Sequence, residues 1–240
     1  MYDPTVARLT YRALLGRRRA LMLSALPALL LVIAIAVRLL GAADDAVAVN
    51  LLSGFALATM VPLIGVIAGT GAIGPEIDDG SIVYLLSKPV KRPTIIVTKL
   101  VVAVAVTMVF SALPILVAGF ILVGGSQQIA IAFAIAAVVA SIAYSALFLL
   151  LGTVTRHAVI FGLVYALLWE ALVGNFIAGA RTLSVQQWGV AVAERVAGSG
   201  VDVVSEVGLT PAAVLLTVVT VAGTWYAGQR LKMMAMTGEQ

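Results

Sequence analysis

The chain has 240 residues, of which 62% are hydrophobic and 11% charged, with a mean hydropathy of +1.13. Soluble domains carry about 25% charged residues, so no water-soluble fold could hide this much apolar surface. The absence of cysteine excludes disulfides, thiolate metal sites and cysteine nucleophiles, and the pI near 9.6 arises from basic residues at the ends of apolar runs, which argues against nucleic-acid binding.

A crossing of a hydrocarbon core about 30 Å thick takes roughly 20 apolar residues. The expectation is an all-α integral membrane protein with six transmembrane helices, and residues 1–240 form a single transmembrane domain with no room for a separate globular one. In chain order, Pro4 to Gly16 reads as an amphipathic interfacial helix, with Val6, Leu9, Ala13 and Leu14 on one side and Arg8 and Arg12 on the other. Arg17, Arg18 and Arg19 precede the first span, about 21–40. A signal peptide fits less well, because that run is long, lacks a clear cleavage site and follows an amphipathic segment. The second span, 51–73, contains Pro62, expected to kink it. The third, 94–123, is too long for an upright crossing and is expected to tilt, bend at Pro114 or begin in the cytoplasm, with Lys99 snorkelling near its start.

A tight polar turn leads to a fourth span, 129–151, rich in small residues suited to close packing. The fifth, 159–177, is interrupted by Glu170. In the long polar stretch that follows, Ser184 and Gln187 form a capping-box pattern, and Val185, Trp188, Val192 and Val196 form an apolar stripe, predicting a short interfacial helix. The last span, 210–226, is expected to start with Thr210 as cap and Pro211 at the first helical position, with Arg230 and Lys232 after it. With the N-terminus inside, Arg8, Arg12, Arg17, Arg18, Arg19, Lys88, Lys91, Arg92, Lys99, Arg156, Arg230 and Lys232 are cytoplasmic, 12 of the 15 Lys plus Arg. Arg38, Arg181 and Arg195 fall outside. That bias follows the positive-inside rule and places both termini in the cytoplasm, as in a multi-pass protein of the cell membrane.

Gly69-Thr-Gly71-Ala-Ile-Gly74 matches G-x-G-x-x-G literally, but a dinucleotide site needs a βαβ unit, and here the glycines end a membrane run, where small residues permit close helix approach. No G-x-x-x-x-G-K-[ST] loop occurs, so ATP phosphates are not held by one. Residues 76–92 carry more information. Asp79 or Ser81 can cap a short helix that groups Ile82, Leu85 and Leu86 on one face and stops at Pro89. A solvated loop is the bland alternative; a capped helix with an apolar face offers a docking surface.

Glu76, Gly80-Ser81, Leu85-Leu86-Ser87, Pro89, Arg92 and Lys99 resemble the loop between the second and third spans of ABC-2 type transporter permeases, whose pattern runs roughly E, G-[TS], L-L-[SA]-x-P-[VI]-x-R, K. The basic amphipathic N-terminus, the six spans and Trp169-Glu170 followed by Leu183-Ser184 agree, so the resemblance covers essentially the whole chain. Lys91 departs from it, where many members carry a small polar residue. The resemblance implies the membrane subunit of an ABC exporter that pairs with a second permease subunit, as a homo- or heterodimer. It further implies that two separate ATPase subunits, carrying ATP and Mg, dock on a cytoplasmic coupling helix. Glu76, Asp79, Gly80, Ser81, Ile82, Leu85, Leu86, Ser87, Pro89 and Arg92 are its coupling and docking residues, with Glu76 and Arg92 fixing the loop by charge.

Glu170 lies roughly 17 Å along its span, counted at 1.5 Å per residue. An ionisable group there suggests function, while the structural reading has it protonated, or bonded to a neighbouring helix or to the Ser184 loop. Phe55, Met60, Trp169 and Glu170 are candidates for a translocation path, though such residues often only pack. A stand-alone proton-coupled carrier working through Glu170 is the alternative, weakened by the lack of a clear repeat between the two halves. An intramembrane enzyme is disfavoured, because no His, Asp and Ser constellation faces itself within the spans; no catalytic or metal-ligating residue is assigned.

Overall fold

The computed structural model describes residues 3–81, 92–123, 127–173, 181–198 and 203–237, and among these residues it is helical with no strand. Asp3 starts α1, Pro4–Leu14, by accepting hydrogen bonds from the N–H groups of Thr5 (2.8 Å) and Val6 (3.1 Å), with Pro4 in the first turn where its missing N–H costs nothing. Its buried line is Val6, Ala7, Thr10 and Leu14, whereas Leu9 and Ala13, expected on that face, are exposed. The reason is docking: α1 lies against the third span, anchored by the Asp3 N–H on Thr98 Oγ1 at 3.1 Å.

Helix α2, Arg17–Leu39, takes the three arginines into its first turn and buries a single stripe of Leu23, Pro27, Leu30 and Ala34. Asp44 caps the following helix through the Val47 N–H at 2.7 Å. That helix, α3, covers 45–71 and is π-helical over Leu51–Met60 before returning to α-helix at Val61–Gly71. The change falls at Pro62. A proline removes a donor from the ladder, and here the Val61 N–H bonds five residues back to Ala56, so the expected kink takes the form of a widened helix. A one-turn helix, α4, follows at Gly74–Asp78.

Helix α5, Arg92–Leu122, is about 46 Å long at 1.5 Å per residue, more than the membrane core requires. Helix α6, Gln127–Val154, is the centre of the bundle, packing on α3 and α5 and on the two C-terminal helices described next. Helix α7 covers 158–173, α-helical over Ala158–Val164 and π-helical over Tyr165–Val173; α8 is Val185–Ala197 and α9 is Leu209–Thr237. The start of α9 at Leu209 places Thr210 and Pro211 inside its first turn, and Arg230 and Lys232 lie within the helix instead of after it.

Close packing on α6 is set by glycines. A Cβ on Gly69 would stand 2.7 Å from Phe148 Cβ and one on Gly65 3.0 Å from Tyr144 Cβ, so α3 meets α6 at backbone distance. Between α5 and α6 the buried hydroxyls of Ser111 and Ser141 bond at 3.0 Å and Ser145 donates to Thr107 at 3.2 Å, polar contacts that substitute for a hydrophobic drive within lipid.

Among the described residues five helices are long and apolar enough to cross a membrane: Arg17–Leu39, Asp45–Asp78, Arg92–Leu122, Gln127–Val154 and Leu209–Met233. Of the fifth expected span, 159–177, residues 174–177 lie outside the described residues, and the described part contains the apolar helix Ala158–Glu170. Helix α8 is also more than a surface helix. It buries Val185, Trp188, Gly189, Val190, Ala191, Ala193 and Ala197, and Gly189 faces Ala136, Ala140 and Leu57, while Val196, expected on the apolar stripe, is exposed.

Candidate functional site

One end of the bundle gathers the C-terminus of α3, the start of α5 and the turn between α1 and α2. Helix C-termini present unpaired carbonyls and partial negative charge, and two cations answer them. Arg19 Nη1 donates to the Gly71 carbonyl at 3.4 Å and to the Ala13 carbonyl at 3.3 Å, joining α2 to the ends of α3 and α1. Lys99 Nζ donates to the Ala72 carbonyl at 2.6 Å and to Glu76 Oε1 at 2.7 Å. The Lys99 side chain is fully buried and Glu76 is 29% exposed. Lys99 therefore does not snorkel; it turns inward because a carboxylate and a carbonyl wait there, and Glu76 finds its charge partner in Lys99.

The ion pair ties α4 to α5 at the two ends of the 76–99 segment. Past α4, Asp79 accepts the Ser81 N–H at 2.9 Å around Gly80, whose φ of +74° favours glycine. Hydrogen bonds from the Ser81 hydroxyl and N–H hold the Asp79 carboxyl below the ordinary 3.8. Ile82, Leu85, Leu86, Ser87 and Pro89 lie outside the described residues. Arg92 opens α5 half-buried and has no ion pair to a described residue.

At the other end, Glu170 is fully buried. Its Oε1 accepts the Tyr165 hydroxyl at 2.7 Å and the Val185 N–H at 3.0 Å, and its Oε2 accepts the Ser184 hydroxyl at 2.5 Å and the Gln186 N–H at 3.2 Å. An acid on α7 thus caps α8, where free N–H groups and the helix dipole favour negative charge. Ser184 is the cap residue, its Oγ 3.4 Å from the Gln187 N–H, but the reciprocal half of the capping box is absent: the Gln187 side chain donates to Gln186 Oε1 instead. Gln186 Nε2 in turn reaches the Ser53 carbonyl at 3.4 Å in the π-helical part of α3. Among the described residues the buried Tyr144 hydroxyl finds no hydrogen-bond partner of normal geometry, and it is close enough to Glu170 and Tyr165 to interact electrostatically.

Trp169 is half-buried, its indole N–H 3.5 Å from the Leu183 carbonyl; Met60 is buried and Phe55 partly so. The open cavities of about 320–610 Å³ at α1/α5, α5/α9, α6/α9 and α8/α9 are lined by none of Phe55, Met60, Trp169 and Glu170.

Residues 27–187 match the family described as ABC-2 family transporter protein. The chain belongs to that family. No curated protein matches it. The matched segment contains both the Glu76–Lys99 pair and the Glu170 cluster. This ABC-2 chain is accordingly a multi-pass membrane protein and a transport permease, and the family associates with ABC ATPase subunits in general.

Several contributors to these two sites escape the sequence. Tyr165 and Glu170 are five apart, which in an α-helix would turn them about 140° away from each other; the π-helical stretch brings them together. Tyr144 and Ser53 come from distant helices and carry no local signal. Arg19 reads as a topology charge, although its position at a helix start beside two helix ends is what makes it structural.

Proposed function

We propose that this ABC-2 permease is the membrane subunit of an exporter that forms the translocation pathway as a dimer and is driven by separate ATPase subunits. ATP and its Mg bind those partners, and hydrolysis takes place there. The carrying observation is the buried Lys99–Glu76 pair at the root of the 76–99 segment: a segment that receives force from a partner has to be fixed at its base, and this pair fixes it to α3 and α5. In this reading 159–177 is the fifth of six spans, α1 lies in the membrane interface, and the basic end with both termini faces the cytoplasm of a cell-membrane protein. The coupling helix then starts after the Asp79–Ser81 turn and runs to Ser87, with Ile82, Leu85 and Leu86 docking and Ser87, Pro89 and Arg92 closing the loop, while Phe55, Met60, Trp169 and Glu170 face the path in some state of the cycle.

A stand-alone proton carrier through Glu170 is not favoured, since that carboxylate is engaged by four donors. The test is Leu85→Asp. An unpaired charge in a buried docking face costs a few kcal/mol, about two decades or more of affinity, so the purified variant should insert normally yet lose its ATPase subunit and substrate-stimulated hydrolysis. Normal association and stimulation would overturn the docking assignment.

A further inference from the structure

A groove of about 610 Å³ lies between α1 and α5. Arg8, Tyr11 and Leu15 form one side; Val101, Ala105 and Val109 form the other, spaced by four so that they make one continuous apolar stripe rising along α5 for about 12 Å. Val101, Val109 and Tyr11 are 47%, 53% and 54% exposed, so the groove opens outward. Its charge is one-sided. Arg8 lines it, Arg12 sits one turn further along α1, and neither pairs with an acid among the described residues. Asp3, the one acid of this segment, has its carboxylate engaged in capping Thr5 and Val6.

We propose that this groove binds one anionic phospholipid, with the headgroup phosphate on Arg8 and Arg12 and an acyl chain along Val101, Ala105 and Val109. The chemistry requires both halves: unpaired guanidinium groups match a phosphate, Tyr11 has the amphipathic character of residues at the headgroup level, and the stripe on a spanning helix matches a hydrocarbon tail. A second copy of the chain suits the groove poorly, because it would bring its own Arg8 and Arg12 on a protein of net charge +4. The inference is independent of transport direction and of the ATPase partner.

The experiment is native mass spectrometry of the detergent-purified full chain, titrated with phosphatidylglycerol or with phosphatidylcholine of the same acyl chains. Wild type should retain one phosphatidylglycerol in preference to phosphatidylcholine. Each of Arg8→Gln and Arg12→Gln should weaken phosphatidylglycerol about fivefold, as expected for one basic residue at an anionic surface, and weaken phosphatidylcholine, whose choline offsets its phosphate charge, by less. Ala105→Phe, which fills the groove from an exposed position and leaves both arginines in the chain, should weaken both lipids. Unaltered phosphatidylglycerol binding in the double arginine variant or in Ala105→Phe would overturn the site. So would displacement of the lipid by an equal concentration of inorganic phosphate or of an acidic peptide, since either would make the groove a general anion or peptide site.

Discussion

Replacing Glu170 tests the cap on α8 at atomic detail. All four partners donate, so both carboxylate oxygens act as acceptors. In Glu170→Gln one oxygen becomes an NH₂ group. The Tyr165 and Ser184 hydroxyls can rotate to accept from it, but the Val185 and Gln186 N–H groups cannot, and whichever way the amide is set one of them loses its acceptor. A buried donor left unsatisfied costs about 1–3 kcal/mol. Glu170→Leu orphans both, about 2–6 kcal/mol on the same basis. For a chain of this size each kcal/mol lowers the melting temperature by about 2–4 °C. Thermal unfolding in detergent should therefore rank wild type above Glu170→Gln and that above Glu170→Leu, with hydrogen exchange at Val185 and Gln186 accelerated in the same order. A Gln variant with wild-type melting and exchange, or a Leu variant no worse than Gln, would refute the argument. Transport by Glu170→Gln at unchanged abundance separates a transport role from a structural one: wild-type transport leaves only the cap.

Glu76→Gln should destabilise more than a surface charge would, because the amide oxygen can still accept from Lys99 Nζ but no longer neutralises the fully buried ammonium; losing one member of a buried pair costs about 3–5 kcal/mol, an upper bound here since Glu76 is 29% exposed, and Glu76→Gln with Lys99→Met should melt higher than Glu76→Gln alone. Gly69→Val should cost about 1–3 kcal/mol by overpacking Phe148, while Gly54→Ala, with nothing within 4 Å of the new Cβ, should be neutral or slightly stabilising in the same thermal assay. Single cysteines at Ser87 and Ser199 test orientation: a membrane-impermeant maleimide applied to intact cells should label Ser199→Cys and spare Ser87→Cys, and the opposite pattern would reverse the topology.

The apolar runs were legible because each span must satisfy its own backbone as a helix, and hydropathy alone marks where that happens. The cap at Ser184 was legible from local spacing, whereas the cap at Asp3 came only with the structure. The interior contacts follow a different logic. Leu9 and Ala13 share a face with Val6 by helical spacing, yet which face is buried depends on where α5 lies, and the structure chose the line through Thr10. Lys99 reads as a snorkelling residue near a span's start until Glu76 and the end of α3 are placed beside it. The Glu170 cluster shows the sharpest limit: its tie to the Ser184 loop could be named from the sequence as the structural reading, but Tyr165 depends on a π-helical turn that no periodicity announces.

The central claim is that this ABC-2 chain works with a separate ATPase. Its most direct test is purification of the full-length protein from native membranes under mild detergent, followed by mass spectrometry of what accompanies it. The account predicts a stoichiometric subunit carrying a Walker A loop, released by Leu85→Asp, together with transport that stops when ATP is depleted. A chain that purifies without such a subunit, and whose transport survives ATP depletion but collapses with the proton gradient, would contradict it.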